Sequence, residues 1–207
     1  VIRDRDAPDW LGAVEAQTAY GADPGDIAAD LDEDDGYGGP DVIFAGGYSQ
    51  LLKAFEGDYR LILNSIVRSV ALRADRVVIA ARDGEDRAFD AAIISLPLGV
   101  LQAGDVAFTP ALPAPKRAAI QRLGMGVLDK LYLRFDRRFW APDPTWIVMT
   151  GTGLPQGQFN FWMNIYKFTG EPILLAFNGG SAADALAPLD DDALIDRAMR
   201  AISPIRA

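Results

Sequence analysis

Between Tyr59 and Leu101 the chain repeats with a period of two, and no other feature constrains the fold as much. The stretch "YRLILNSIVRSVALRADRVVIAARDGEDRAFDAAIISLPLGVL" alternates apolar and polar residues and is rich in Val and Ile. It predicts successive strands near 60–63, 66–73, 76–82 and 87–95. Asp83-Gly84 predicts a tight turn joining the last two as a hairpin. In "SLPLG" Pro97 has to stop the strand, and Gly99 frees the backbone.

Around this core the spacing changes. "APDWLGAVEAQTAYG" predicts a helix with Asp9 as its cap, and "GGYSQLLKAFEGD" a short one started by Ser49 and stopped at Gly57. A Pro-rich loop leads into a helix over 115–123, closed by Gly124. Strands follow at 127–135, 145–150, 158–167 and 172–178. The last helix, "DDDALIDRAMRAI", carries acids at the end where the helix dipole favours them. Strands and helices without βαβ alternation predict an α+β chain with mainly antiparallel sheets.

The absences limit the chemistry. The 207 residues contain no cysteine and no histidine. That removes disulfides, zinc-thiolate sites, thiol nucleophiles, imidazole bases and the Ser-His-Asp triad. Chemistry here rests on carboxylates, Lys, Tyr, Ser or a cofactor. A net charge of −9 argues against general nucleic-acid binding, and no apolar run reaches the eighteen residues of a membrane span.

The acidic run "ADLDEDDGYGGPD" spaces Asp30, Asp32 and Asp34 like a calcium loop, but Asp35 stands where that loop needs glycine and Asp41 where it needs Glu. It predicts a solvated surface loop. "GTGLPQG" and "GMG" lack the spacing or the following helix of a phosphate loop. Paired carboxylates among the 29 acidic residues stay open, although most fall in loops and helix ends. The aromatics of "FNFWMNIYKF" (Phe159, Phe161, Trp162 and Tyr166) suit a core, or the wall of a pocket.

One lysine stands out. In "GMGVLDKLYLRFDRRFW" the strand alternates Leu128, Lys130, Tyr132 and Arg134 against Asp129, Leu131, Leu133 and Phe135. A partly buried ammonium is costly without a partner. The ordinary solution packs the aliphatic stem and lets the charge reach water.

A set of segments, in order, resembles the flavin-containing amine oxidase family, near the polyamine oxidases and lysine-specific histone demethylases. They are "GGYSQLL", "LNSIVRSV", "DAAIISLPLGVL", "FTPALPAPKRAAIQRLGMGVLDKLYLRFDRRFW", "NIYK" and "PILLAFNGG". The resemblance implies an FAD-dependent oxidation of a C–N bond: hydride passes from carbon to flavin N5, the imine is hydrolysed, and dioxygen reoxidises the flavin to give peroxide. A cofactor that carries the hard chemistry fits a chain without His or Cys. By the same resemblance Lys130 matches a lysine that holds a water beside flavin N5. Val67 matches a residue whose backbone reads the adenine, and Leu96, Pro97 and Leu98 match a loop that approaches the flavin.

The pattern also departs from the family. The Gly-rich loop that would hold the pyrophosphate and a later flavin-contacting segment are missing. The resemblance therefore implies a central section of a longer enzyme. It would hold a helical and loop part of the substrate domain over 1–56 and a β-meander and Pro loop of the FAD domain over 57–103. The substrate-binding α+β domain would cover 104–207. The section alone is expected to retain no FAD and to be inactive.

Its expected partners are a small amine, polyamine-like for preference, and the missing flavin-domain segments. A homo-oligomer could cover apolar surface left exposed. A cytoplasmic setting is the default expectation. Alternatives are a desaturase or porphyrinogen oxidase of the same architecture, or a non-catalytic module that binds amines or a protein.

Overall fold

The computed structural model of the chain describes residues 7–28, 42–44, 46–82 and 84–206. The acidic run from Asp30 to Asp41 and the turn residue Asp83 lie outside them. In chain order the first helices are α1 (Ala7–Tyr20) and α2 (Ser49–Lys53). Then come β1 (Val67–Arg73), β2 (Arg76–Ala81), β3 (Asp86–Phe89), α3 (Leu98–Ala103), β4 (Ala107–Thr109) and α4 (Ala114–Arg122). The remainder is β5 (Leu128–Arg134), β6 (Trp146–Val148), β7 (Phe161–Asn164), α5 (Tyr166–Thr169), β8 (Ile173–Gly179), α6 (Gly180–Leu186) and α7 (Asp191–Ile202).

These elements form two compact units, Val1–Phe55 with Gly126–Ala207, and Glu56–Met125. The second break thus falls at 125/126 instead of the expected 103/104. Strand β4 pairs in parallel with β1, and α4 packs on α3, so residues 104–125 stay with the strands before them.

The Glu56–Met125 unit has the sheet order β3-β2-β1-β4. The predicted hairpin is present: β2 and β3 pair antiparallel, and Gly84 takes φ +87°, a conformation open to glycine. Two expectations fail here. Residues 60–63 join no ladder, because Asn64 at φ 59° turns the chain before β1 begins, and Leu61 and Leu63 stay exposed. The strand expected over 87–95 ends at Phe89, and Ile93 is 99% exposed. Pro97 ends no strand. It stands at the N-cap of α3, its carbonyl accepting from Val100 and Leu101, while Gly99 lies inside the helix and Gly104 takes the left-handed C-cap.

In the other unit the order is β5-β8-β7-β6, antiparallel throughout. One face carries Leu131, Leu133, Trp162, Leu174 and Ala176 against Leu186 of α6 and Ala198, Ala201 and Ile202 of α7. Helix α7 is capped as its acids suggested, Asp190 accepting from the Ala193 N–H. Buried amides close the loops. Asn164 donates to the Pro142 and Pro144 carbonyls and accepts from Trp140 Nε1 at 2.8 Å.

The strand expected over 158–167 is shorter, because Phe159 at φ 54° turns the chain and α5 follows at once. Asp9 lies within α1 and does not precede it. Ser49 opens α2 without capping it, since the turn at Gly47 already accepts from the Gln50 N–H. No helix among the described residues is long and apolar enough to cross a membrane.

Candidate functional site

Strand β5 is half core and half surface, as its alternation predicts. Leu131 and Leu133 face the helices, while Lys130, Tyr132 and Arg134 point to the opposite side and are exposed. Lys130 is therefore not the partly buried cation that the apolar stretch suggested: it is exposed. Its ammonium makes no hydrogen bond or ion pair with any described residue. It stands 5.4 Å from the centre of the Phe177 ring, within the range of a cation–π contact.

The register explains that contact. Lys130 pairs with Phe177 of β8, and Phe177 with Phe161 of β7, so all three project from one face. Trp146 of β6 completes the group. It stacks on Phe161 at 4.7 Å and 20°, and meets Phe177 edge-on at 5.6 Å. An ammonium and three aromatic rings thus share one side of the sheet, and α1 packs against the Leu128–Gly179 end of that side.

The structure separates the aromatics that the sequence presented as one group. Phe161 lies on this face. Phe159 and Trp162 are fully buried on the helix side, Trp162 donating to the Phe159 carbonyl. Tyr166 packs partly buried against the core, under the Arg138 guanidinium. Sequence reasoning misses Phe177 and Trp146. "PILLAFNGG" carries the period-two signal for Phe177, but its neighbours depend on strand pairing.

The other site residues belong to the Glu56–Met125 unit. Val67 opens β1 and is half-buried. It pairs with Ala81 on one side, whereas β4 begins its pairing only at Ser69. The strand edge beside Val67 thus has no partner strand among the described residues, although β1 is an interior strand. Leu96, Pro97 and Leu98 form the entry to α3, with Pro97 exposed and the two leucines half-buried.

Lys130 presents N–H donors beside aromatic rings, the kind of donor from which a cofactor edge or a bound water accepts. A cradle for the pyrophosphate is not found among the described residues. The best candidate by composition is Gly179-Gly180 at the start of α6, and it is filled. A Cβ at Gly179 would collide with the Gln17 carbonyl, and one at Gly180 with the Asp23 carboxylate. Hydrogen bonds from Gln17 and then Ser181 hold that carboxyl below the usual range for Asp. A carboxylate already caps the helix where a phosphate would bind. Nor do the described residues group three acidic side chains as a metal would need.

Comparison with known proteins identifies the family of the chain. The family description "Flavin containing amine oxidoreductase" matches residues 7–207. Probable polyamine oxidase 4 of Arabidopsis thaliana is 35% identical over 164 residues, which cover 78% of this chain and 32% of that protein. Lysine-specific histone demethylase 1 homolog 3 of Arabidopsis thaliana is 35% identical over 159 residues, covering 72% and 10%. Among solved structures, a double mutant of putrescine oxidase with redesigned cofactor binding superposes with a TM-score of 0.61 at 19% identity, covering 79% of this chain and 36% of that one. The chain spans about a third of the length of the polyamine oxidase it matches.

Proposed function

This chain belongs to the family of flavin-containing amine oxidoreductases, and from that premise we propose that it forms part of an FAD-dependent amine oxidase acting on a polyamine-like amine. The observation that carries the proposal is Lys130: an exposed ammonium with no counter-ion among the described residues, beside an aromatic ring. A cation in that setting is free to bind a group that comes from elsewhere.

When bound, FAD would supply the two-electron oxidation of the C–N bond, with electrons passed on to dioxygen. The chain's residues would contribute position and environment. Lys130 would donate from Nζ to a water at the cofactor's reactive edge and hold it for imine hydrolysis or proton delivery. Phe161, Phe177 and Trp146 would exclude bulk water and offer π faces to an alkylammonium. Val67 would read the adenine through its backbone N–H and C=O at the strand edge left free by β4. Leu96, Pro97 and Leu98 would pack against the cofactor from the start of α3. Among the described residues none is assigned to the pyrophosphate.

The test has two parts. This chain, incubated with FAD and desalted, should be colourless. A longer polypeptide containing it should retain flavin and release peroxide with a di- or polyamine, and Lys130→Met should lower that turnover at least tenfold, about 1.4 kcal/mol of barrier, with the flavin spectrum retained. Peroxide release unchanged by Lys130→Met would sink the assignment of the lysine. Flavin held by this chain alone would overturn the account of the phosphate site.

A further inference from the structure

We infer that Phe177 is a positioning residue for Lys130: its ring holds the ammonium where no described residue supplies a counter-ion. This deepens the reading of Lys130 given above and rests on it.

A lysine on an exposed strand has four rotatable side-chain bonds and ordinarily samples many positions in water. Two features limit Lys130. The antiparallel register sets Phe177 directly across from it, and Nζ lies 5.4 Å from the ring centre. The ring is itself held. Trp146 meets it edge-on at 5.6 Å and 61°, Phe161 lies at 6.4 Å and 66°, and Trp146 stacks on Phe161. Three strands thereby fix one ring.

The choice of a ring over a carboxylate has a chemical consequence. A carboxylate partner would occupy the N–H donors that Lys130 needs for another acceptor. A π face attracts the cation without accepting those hydrogen bonds, so the donors stay available. The nearest acid in sequence, Asp129, projects from the other side of β5, as strand alternation requires. Among the described residues Lys53, Lys116 and Lys167 stand over no ring; Lys167 instead donates to Thr145 at 2.7 Å.

The test uses the 207-residue chain and needs no flavin. The chain contains four lysines, so carbon-13 labelling of lysine resolves each ε-methylene by nuclear magnetic resonance. In the wild type the Lys130 ε-protons should lie upfield of those of Lys53, Lys116 and Lys167, because they sit in the shielding zone of a ring. Phe177→Leu keeps an apolar side chain and should return them to the position of the other three. Phe177→Tyr keeps the ring and should preserve the shift.

Trp146→Leu leaves Phe177 in place but loosens it, and should reduce the shift by a part; it also serves if Phe177→Leu does not fold. Lys130 signals coincident with the other lysines in the wild type would overturn the inference, as would a displacement that survives Phe177→Leu. A ring shift that stands while the flavin-loaded longer polypeptide oxidises no amine would leave Phe177's role intact and refute the chemistry assigned to Lys130.

Discussion

The two sheets have the same number of strands and similar sequence texture, yet only one of them has a deep core. In the sheet of β5 to β8, Trp162, Leu174 and Ala176 are fully buried, with α6 and α7 laid across one face. In the sheet of β1 to β4, Ala81 is the strand residue that reaches full burial, and Val70, Val77, Val78 and Ile79 remain half-exposed. Runs such as Val77-Val78-Ile79 are apolar on both faces. That is the pattern of a strand covered on two sides, and the described residues do not supply both covers. A sheet's sequence can therefore specify a burial that the described residues do not complete.

The largest test of the contrast is a matched pair of truncations. Trp162→Ala removes a fully buried ring and should cost about 3–5 kcal/mol, enough to abolish cooperative urea unfolding of its unit. Val78→Ala, at the centre of the other sheet, should cost about 1 kcal/mol. Equal losses in urea titrations would erase the distinction between the sheets.

Asn164→Ala should come next, at about 2–3 kcal/mol, because it leaves the Trp140 Nε1 donor and two proline carbonyls without their partner. A thermal midpoint within a degree of wild type would show that water satisfies those groups.

Asp23→Ala should cost about 1 kcal/mol at neutral pH through loss of the acceptor for Gln17 and the cap on α6. The Asp23 carboxyl is held below its ordinary value of 3.8. Its contribution is therefore complete above that pH, and is lost as the pH falls through the lower folded value. Wild type and variant should converge in strongly acidic solution; a gap independent of pH would mean that the carboxylate's charge plays no part.

The smallest effect belongs to the exposed segment after β3. Ile93→Ser should change the stability of this chain by less than about 0.5 kcal/mol, since the side chain is 99% exposed. It should also lessen self-association, measured by sedimentation, if that surface is what invites it. A clear destabilisation would show Ile93 to be packed in solution.

Much of this architecture is legible in the amino-acid sequence. Strands β1, β2, β5 and β8, and helices α4 and α7, fall within a residue or two of where periodicity and capping put them. These are elements whose signal is local: alternation over seven residues, acids at a helix start, Pro and Gly at its ends. The α+β class follows from the same marks, and membership of the flavin amine oxidoreductase family from ordered motifs. Residues 61–63 and 91–95 escape this reading for the opposite reason. Their composition favours strands, but a strand exists only where a neighbour takes its backbone hydrogen bonds, and among the described residues none pairs with them.

The candidate site divides along the same line. The face from which Lys130 points can be read from alternation alone, because a strand turns each residue opposite to the last, whereas its candidacy rests on the family resemblance. That Phe177 lies across from Lys130, and that Phe161 joins this face while Trp162 enters the core, are decided by register between strands well separated in the chain. A shift of one residue in that pairing would exchange the two faces. Local composition determines which residues can face together, but only the folded sheet determines which ones meet.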